Sequence, residues 1–260
     1  MTFSLAPGPW PLAPVFVSLA TLLVGVAGRA QPAEKAAESA GPHGVVFVVG
    51  GIGGIELLNA SAHVAFPKAG VPHEIRDFVW THGKGKFFKD LQDLRYVLQK
   101  ATELADQVRD YKQQYPDRPV YLLGKSGGAG LVLAAAEQLP PNTLERIILL
   151  SAAVSPRHDL HVALQSASRG IVSFYSPLDQ LILGWGTKKF GTEDRYYGPS
   201  AGLRGFQVPP LHDDEERDLY NRLIQVPWHA SMIFEGYVGN HMGTSMPTFL
   251  GAEVAKWLKP

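Results

Sequence analysis

The segment that most limits what this chain can become runs from Pro119 to Leu139. It holds the apolar run VYLL, then Gly124-Lys125-Ser126-Gly127-Gly128-Ala129-Gly130, then a small-residue helical pattern closed by Pro140-Pro141. A short β-rich run closed by glycines reads as a buried strand entering a tight turn. Gly124 to Gly128 fits G-x-S-x-G, in which a sharp strand-to-helix turn exposes a strained serine. Such a turn leaves almost no room for neighbouring side chains, and five small residues around Ser126 meet that demand. The serine then stands at a helix N-terminus, where free N–H groups favour developing negative charge. Two other readings compete. One is a plain glycine turn with a capping serine. The other is a phosphate loop, G-x-x-x-x-G-K-[ST], which fails because Pro119 occupies its first glycine.

The rest of the chain supplies the setting for such a turn. Strands are expected over 45–49, 74–81, 119–123, 146–150, 170–175 and 231–238. Helices are expected over 55–69, 90–115, 131–139, 158–168 and 247–258. Over 90–115 the stripe Leu91, Leu94, Leu98, Ala101, Ala105, Val108 has helical spacing. Over 247–258 Leu250, Val254, Trp257 and Leu258 share a face, with Pro247 suited to the first helical position. Strands alternating with helices predict a mostly parallel sheet covered on both faces, the α/β class.

Composition excludes several function classes. Lys plus Arg equals Asp plus Glu, 24 against 24, and no basic stripe with interleaved aromatics appears, so nucleic acid is not an expected partner. There is no cysteine, which excludes disulfides, a cysteine nucleophile and thiolate metal sites. At the N-terminus the start lacks the positive charge usual before an export signal, but the stretch 15–27 is apolar. That suits the core of an export signal and is short of the ~20 residues a membrane span needs. Residues 1–30 are therefore expected to be a signal peptide, making the protein periplasmic or secreted, or an anchor that ties it to a membrane if left uncleaved. Residues 31–42 read as a linker, and 43–260 as a single domain.

The glycine run Gly50-Gly51-Ile52-Gly53-Gly54 follows the first strand. As a dinucleotide fingerprint it fails, since Glu56 takes the third glycine position. As an oxyanion loop it sits correctly, because a tetrahedral intermediate needs about two preorganised N–H donors. The expected donors are the N–H groups of Gly127 and Ile52, with Gly51 as the substitute for Ile52; a plain tight turn is the alternative. In a serine hydrolase of this chain order the acid and then the histidine follow the serine. His241, in Gly239-Asn240-His241-Met242-Gly243, follows the last expected strand and is the expected base. His229 precedes that strand, and His212 lies in an irregular segment. His158 and His161 stand three apart but suggest no third metal ligand. Asp179, after the strand ending at Tyr175, is the expected acid, with Asp159, then Asp194 or no acid, as the alternatives. His82, Lys125 and Trp185 are candidates for the substrate pocket. Lys125 is not expected to be the base, since adjacent residues of an extended chain point opposite ways.

In order, VVFVVGGIGG, WTHGKG, VYLLGKSGG, FYSPLDQLI and GNHMG resemble the α/β-hydrolase superfamily, closest to exported hydrolases of planctomycete-type bacteria. The resemblance spans roughly residues 45–258. It implies a Ser126–Asp179–His241 triad, no cofactor and no metal. It departs at the oxyanion loop, where the usual His-Gly is Gly50-Gly51. The long interval between acid and base leaves 184–228 as an expected lid or substrate-selecting loop. Trp185, Phe190, Tyr196, Tyr197 and Phe206 are then an apolar wall or a satellite core. The expected reaction is two-step hydrolysis of a small or lipid-like carboxylic ester. A non-catalytic binding protein of the same fold and an acyltransferase using the same triad are the alternatives.

Overall fold

The run Val45–Val49 has no polar side chain and forms strand β1, buried along its whole length. Val45, Phe47 and Val49 pack into the core on one face, Val46 and Val48 into the core on the other. A strand covered on both faces needs an unbroken apolar run rather than alternation. The same split recurs in β3 (Val120–Lys125) and β4 (Arg146–Leu150). With β2 (Glu74–Phe78), β5 (Ile171–Tyr175) and β6 (Leu223–Pro227) they make one parallel six-stranded sheet, in the order β2-β1-β3-β4-β5-β6.

These features come from a computed structural model that describes residues 43–54, 57–179 and 198–259. All of them lie within one compact unit, 41–260. Among the described residues no helix is long and apolar enough to cross a membrane. The expected N-terminal segment, 1–30, and Trp185 lie outside the described residues.

Helices cover both faces. On one lie α1 (Leu57–Lys68) and the C-terminal segment, an α-turn Pro247–Phe249 that continues as a π-turn Leu250–Val254 and a 3-10 turn Ala255–Leu258. On the other lie α3 (Leu94–Gln114), α4 (Gly127–Ala136) and α5 (His161–Ser166), joined by α6 (Ala201–Arg204) and α7 (Asp214–Tyr220). The helix expected over 90–115 is in fact two: α2 (Phe87–Gln92) and α3 meet at Asp93, whose carboxylate accepts the Tyr96 N–H at 3.1 Å. A cap at this point starts a new helix. The buried stripe of α3 consequently uses Val97, Ala101, Leu104, Ala105 and Val108, while Leu98 is exposed.

The strand expected over 231–238 is not one. Ala230–Glu235 is a 3-10 turn with Phe234 almost wholly exposed, and the sixth strand is LIQVP at Leu223–Pro227. An edge strand half open to solvent needs little apolar character, so its pattern is weak. The expected lid over 184–228 therefore contains, in its described part, two helices and the sheet's edge strand. Phe206 is buried in the main core rather than in a lid wall.

The chain order reverses between β1 and β3, with β2 on one side and β4 on the other. Ligands of open parallel sheets bind outside the strand C-termini at such a switch point. Here the loop after β1 and the turn after β3 are pressed together. A Cβ on Gly128 would lie 2.2 Å from the Gly50 carbonyl oxygen and 2.6 Å from that of Val49.

Both obstructing atoms are backbone, so Gly128→Ala forces the helix and strand apart. It is expected to lower unfolding free energy in urea by about 3 kcal/mol. Gly70→Ala, in open space at φ +74°, is expected to cost only the ~1–2 kcal/mol of a left-handed non-glycine residue. Equal effects of the two substitutions would contradict this packing.

Candidate active site

Ser126 sits between the last residue of β3 and the first of α4 with φ 54° and ψ −122°. A non-glycine residue there is strained, and the strain persists only where the surroundings fix it. Three backbone bonds do so. The Ser126 N–H donates to Leu150 O at 3.0 Å, and its carbonyl accepts from Ala129 and Ala153 N–H groups, each at 3.1 Å. Gly124 is required by the same bend, since a Cβ there would meet the Gly128 carbonyl oxygen at 2.7 Å.

The Ser126 side chain faces the loop after β1. A Cβ built on Gly51 would stand 3.3 Å from Ser126 Cβ and 3.8 Å from its Oγ. Ser126, Gly51, Ile52 and His241 line one cavity of about 180 Å³, whose other walls are Leu57, Leu58, Phe87, Lys125, Met242 and Ser245. Its lining is mainly hydrocarbon. Among the described residues the N–H groups of Gly51, Ile52 and Gly127 meet no protein acceptor. Free N–H groups around a hydroxyl are what an oxyanion site requires.

His241 and Asp179 are both buried, and His241 Nδ1 lies 2.7 Å from Asp179 Oδ2. A carboxylate there accepts the Nδ1–H and fixes the tautomer, leaving Nε2 with its lone pair. Asp179 follows β5. His241 follows the 3-10 turn Ala230–Glu235, well past β6, and its loop is held from several sides. Gly239 (φ 83°) passes so close to Leu178 that a Cβ would meet its Cδ1 at 2.8 Å. Thr244 Oγ1 donates to the His241 carbonyl at 3.3 Å. His229, by contrast, stands next to the C-terminal end of β6 but is exposed, its ring bonded to Ser231. His241 is thus distinguished by burial and its carboxylate, not by its end of the strand.

The other histidines have different partners. His158 and His161 help line a separate, larger cleft of about 600 Å³ with His212. There His158 meets Glu137 at 3.0 Å and His161 meets Gln165 at 2.9 Å. No cluster able to hold a metal occurs among the described residues. Asp159 accepts from Tyr220 at 3.2 Å, and the carboxylate that meets His241 is that of Asp179. His82 does not line the cavity. Its Nδ1 and backbone N–H both meet Asp90 Oδ1 at 2.8 Å, and its ring stacks on Tyr96.

Asp90 escaped the sequence reading. Its carboxylate is fully buried, and its other oxygen accepts the Gly53 N–H at 2.8 Å. Gly53 also accepts from the Gly85 N–H at 3.0 Å and lies under the Phe87 ring. One carboxylate thus clamps the loop that carries the free Gly51 and Ile52 N–H groups. At the start of a helix an aspartate ordinarily signals only a cap.

Lys125 is also buried, and its Nζ donates to Ser245 Oγ in the loop of His241. Burial pushes its pKa down from 10.5 to about 8, with the Asp179 carboxylate opposing the fall.

A family model described as Serine aminopeptidase, S33 (Hydrolase_4) matches residues 82–190. No curated protein matches the chain. Among solved structures, the chain is similar to an esterase from Pyrococcus furiosus (12% identity, 84% of this chain and 83% of that one, TM-score 0.47). It is similar to TT1662 from Thermus thermophilus (13%, 84% and 90%, 0.47). It is also similar to a cutinase-like protein from Cryptococcus sp. (13%, 85% and 97%, 0.44).

Two outcomes are expected. Asp90→Asn sets an NH2 group against an N–H donor, so it should cost about 2–3 kcal/mol in chemical denaturation, and Asp93→Asn, on the half-buried cap, well under half of that. Lys125→Met should raise the melting temperature at pH 7 by several degrees. The lysine's folded pKa lies below its unfolded one, so the unfolded chain binds more protons between about pH 8 and 10.5. Wild-type stability therefore rises with pH across that window, and the gap to Lys125→Met should close there. A gap independent of pH would rule out the charge as its cause.

Proposed function

We propose that this chain, a member of the α/β-hydrolase superfamily, is a serine hydrolase that cleaves carboxylic esters, with Ser126 as nucleophile, His241 as general base and Asp179 as the group that orients it. The observation that carries the proposal is the meeting of two unusual features on one apolar cavity. One is a serine held at φ 54° on a sharp turn, the other a buried His–Asp pair at 2.7 Å. Neither is needed for the fold, and a strained residue fixed by its surroundings points to function.

The chemistry follows from the geometry. His241 Nε2 takes the Ser126 hydroxyl proton as Oγ attacks the ester carbonyl. The Asp179 carboxylate stabilises the imidazolium that forms. The tetrahedral oxyanion lies toward the free N–H groups of Ile52 and Gly127, with Gly51 beside them, which supply stabilisation present only when charge develops. Collapse expels the alkoxide, which takes the proton from His241 and leaves an acyl-enzyme on Ser126. Water, deprotonated by the same histidine, releases the acid and restores the serine.

Ester rather than peptide is supported by the charge in the cavity. An aminopeptidase must receive a substrate α-ammonium group. Among the described lining residues there is no carboxylate, and a buried lysine is present. Asp179 is committed to His241. The small apolar volume favours a short acyl chain. The apolar stretch 15–27 supports export of the chain, or anchoring if it is retained.

A fluorophosphonate probe should label wild type and not Ser126→Ala. On short p-nitrophenyl esters, Ser126→Ala and His241→Ala should each lose at least ~1000-fold in kcat, and Asp179→Asn nearly as much. Absence of labelling and of ester hydrolysis by folded wild type would leave only a binding role for the fold.

A further inference from the structure

Lys125 has no part in the mechanism above, yet it is a buried ammonium on the wall of the cavity that holds Ser126. A lysine ammonium has three N–H donors. Among the described residues only the Ser245 hydroxyl accepts from it, and no carboxylate forms an ion pair with it. Asp179 is near enough to be felt electrostatically, but its bonded oxygen belongs to His241. A buried charge left this incompletely satisfied destabilises the fold, and ordinarily it is paired or replaced. Leu57, Leu58, Phe87 and Met242 give the same cavity a largely hydrocarbon lining.

We propose that Lys125 is the specificity residue of this site and receives an anionic group, a carboxylate, borne by the substrate's acyl chain. This rests on the serine-hydrolase reading and narrows its substrate class to esters of dicarboxylic acids. The ammonium supplies charge-assisted hydrogen bonds, about twice as strong as neutral ones, in a pocket where water offers little competition. A neutral chain of the same length makes no use of the charge and leaves it as incompletely paired as before. The discrimination is therefore large, as it is whenever a buried polar group is left without its partner. At neutral pH the lysine remains mainly protonated, since its pKa falls only to about 8. Ser245, which also lines the cavity, accepts from the lysine and belongs to the loop of His241, so the groups that meet the anion and the scissile carbonyl are tied together.

The test pairs p-nitrophenyl monoesters of succinate, glutarate and adipate with their terminal carboxamides, which match them in size. In wild type, at least one length should be hydrolysed with kcat/KM ten-fold or more above its carboxamide. In Lys125→Met the ratio should fall to within two-fold, through a rise in KM for the carboxylate ester. Lys125→Arg, which keeps a cation in altered geometry, should retain part of the preference. A binding measurement independent of turnover uses Ser126→Ala with the free diacids and their monoamides, followed by calorimetry. The diacid of the preferred length should bind at least ten-fold more tightly. Hydrolysis of both members of every pair at equal rates would overturn the role of Lys125 and leave the esterase reading intact. Selective diacid binding without hydrolysis of any ester would support the lysine's role and remove the esterase reading. Neither selectivity nor hydrolysis would overturn both.

Discussion

The left-handed backbone at Ser126 is the constraint on which the site depends. It holds because the Leu150 carbonyl and the Ala129 and Ala153 N–H groups bond to its backbone, and because Gly124 and Gly128 remove side chains that would obstruct the bend. The close contact of Gly128 with the Val49 and Gly50 carbonyls then fixes where the first loop of the sheet lies relative to the serine. Strain at one residue is thereby exchanged for the register of two loops. Without it, the glycine loop after β1 would have no reason to face a hydroxyl at all.

Around that bend, two buried carboxylates do separate work. Asp179 accepts from the imidazole of His241, which lines the same cavity as Ser126. Asp90 accepts from the backbone N–H groups of Gly53 and His82 and holds a loop. The second is as fully buried as the first and has no access to the cavity. Preorganisation of this kind matters because oxyanion donors act only if they need not move when charge appears. Glycines alone could not provide it: the freedom that lets the chain turn at Gly53 and Gly54 would also let it drift. The carboxylate, the Phe87 ring and the Gly85 N–H remove that freedom.

The sheet was legible where strands are covered on both faces, because residues 45–49 and 147–150 are apolar runs that nothing else explains. The turn at Ser126 was legible because its steric demand can be met only by small residues. Ladder edges were not: LIQVP at Leu223–Pro227 is half-exposed, and its pairing comes from β5 rather than from its own pattern. His241 was named for a place after a strand at 231–238 that is a 3-10 turn. What sets it apart, burial against Asp179, is a tertiary fact with no local signal. Asp90 was hidden for the same reason, since its partners are the Gly53 N–H, 37 residues away, and the backbone N–H and ring of His82, 8 residues away. Trp185 and the aromatic stretch 190–197 lie outside the described residues.

Lys125 shows how a sound local rule stops at an element's end. In an extended chain it would point away from Ser126. Ser126, however, has left the extended region, at φ 54°. The turn swings the serine back over the end of β3, so that both residues reach the same cavity. The strain at Ser126 therefore also brings a cation to the cavity that Ser126 lines. A chain free to choose any residue at this position would avoid a lysine, since burial depresses its pKa and an apolar side chain of like size would pack without that cost. The strained turn and the buried charge are thus two consequences of one backbone geometry. The charge is the part that folding does not require, which places its rationale in what the cavity binds.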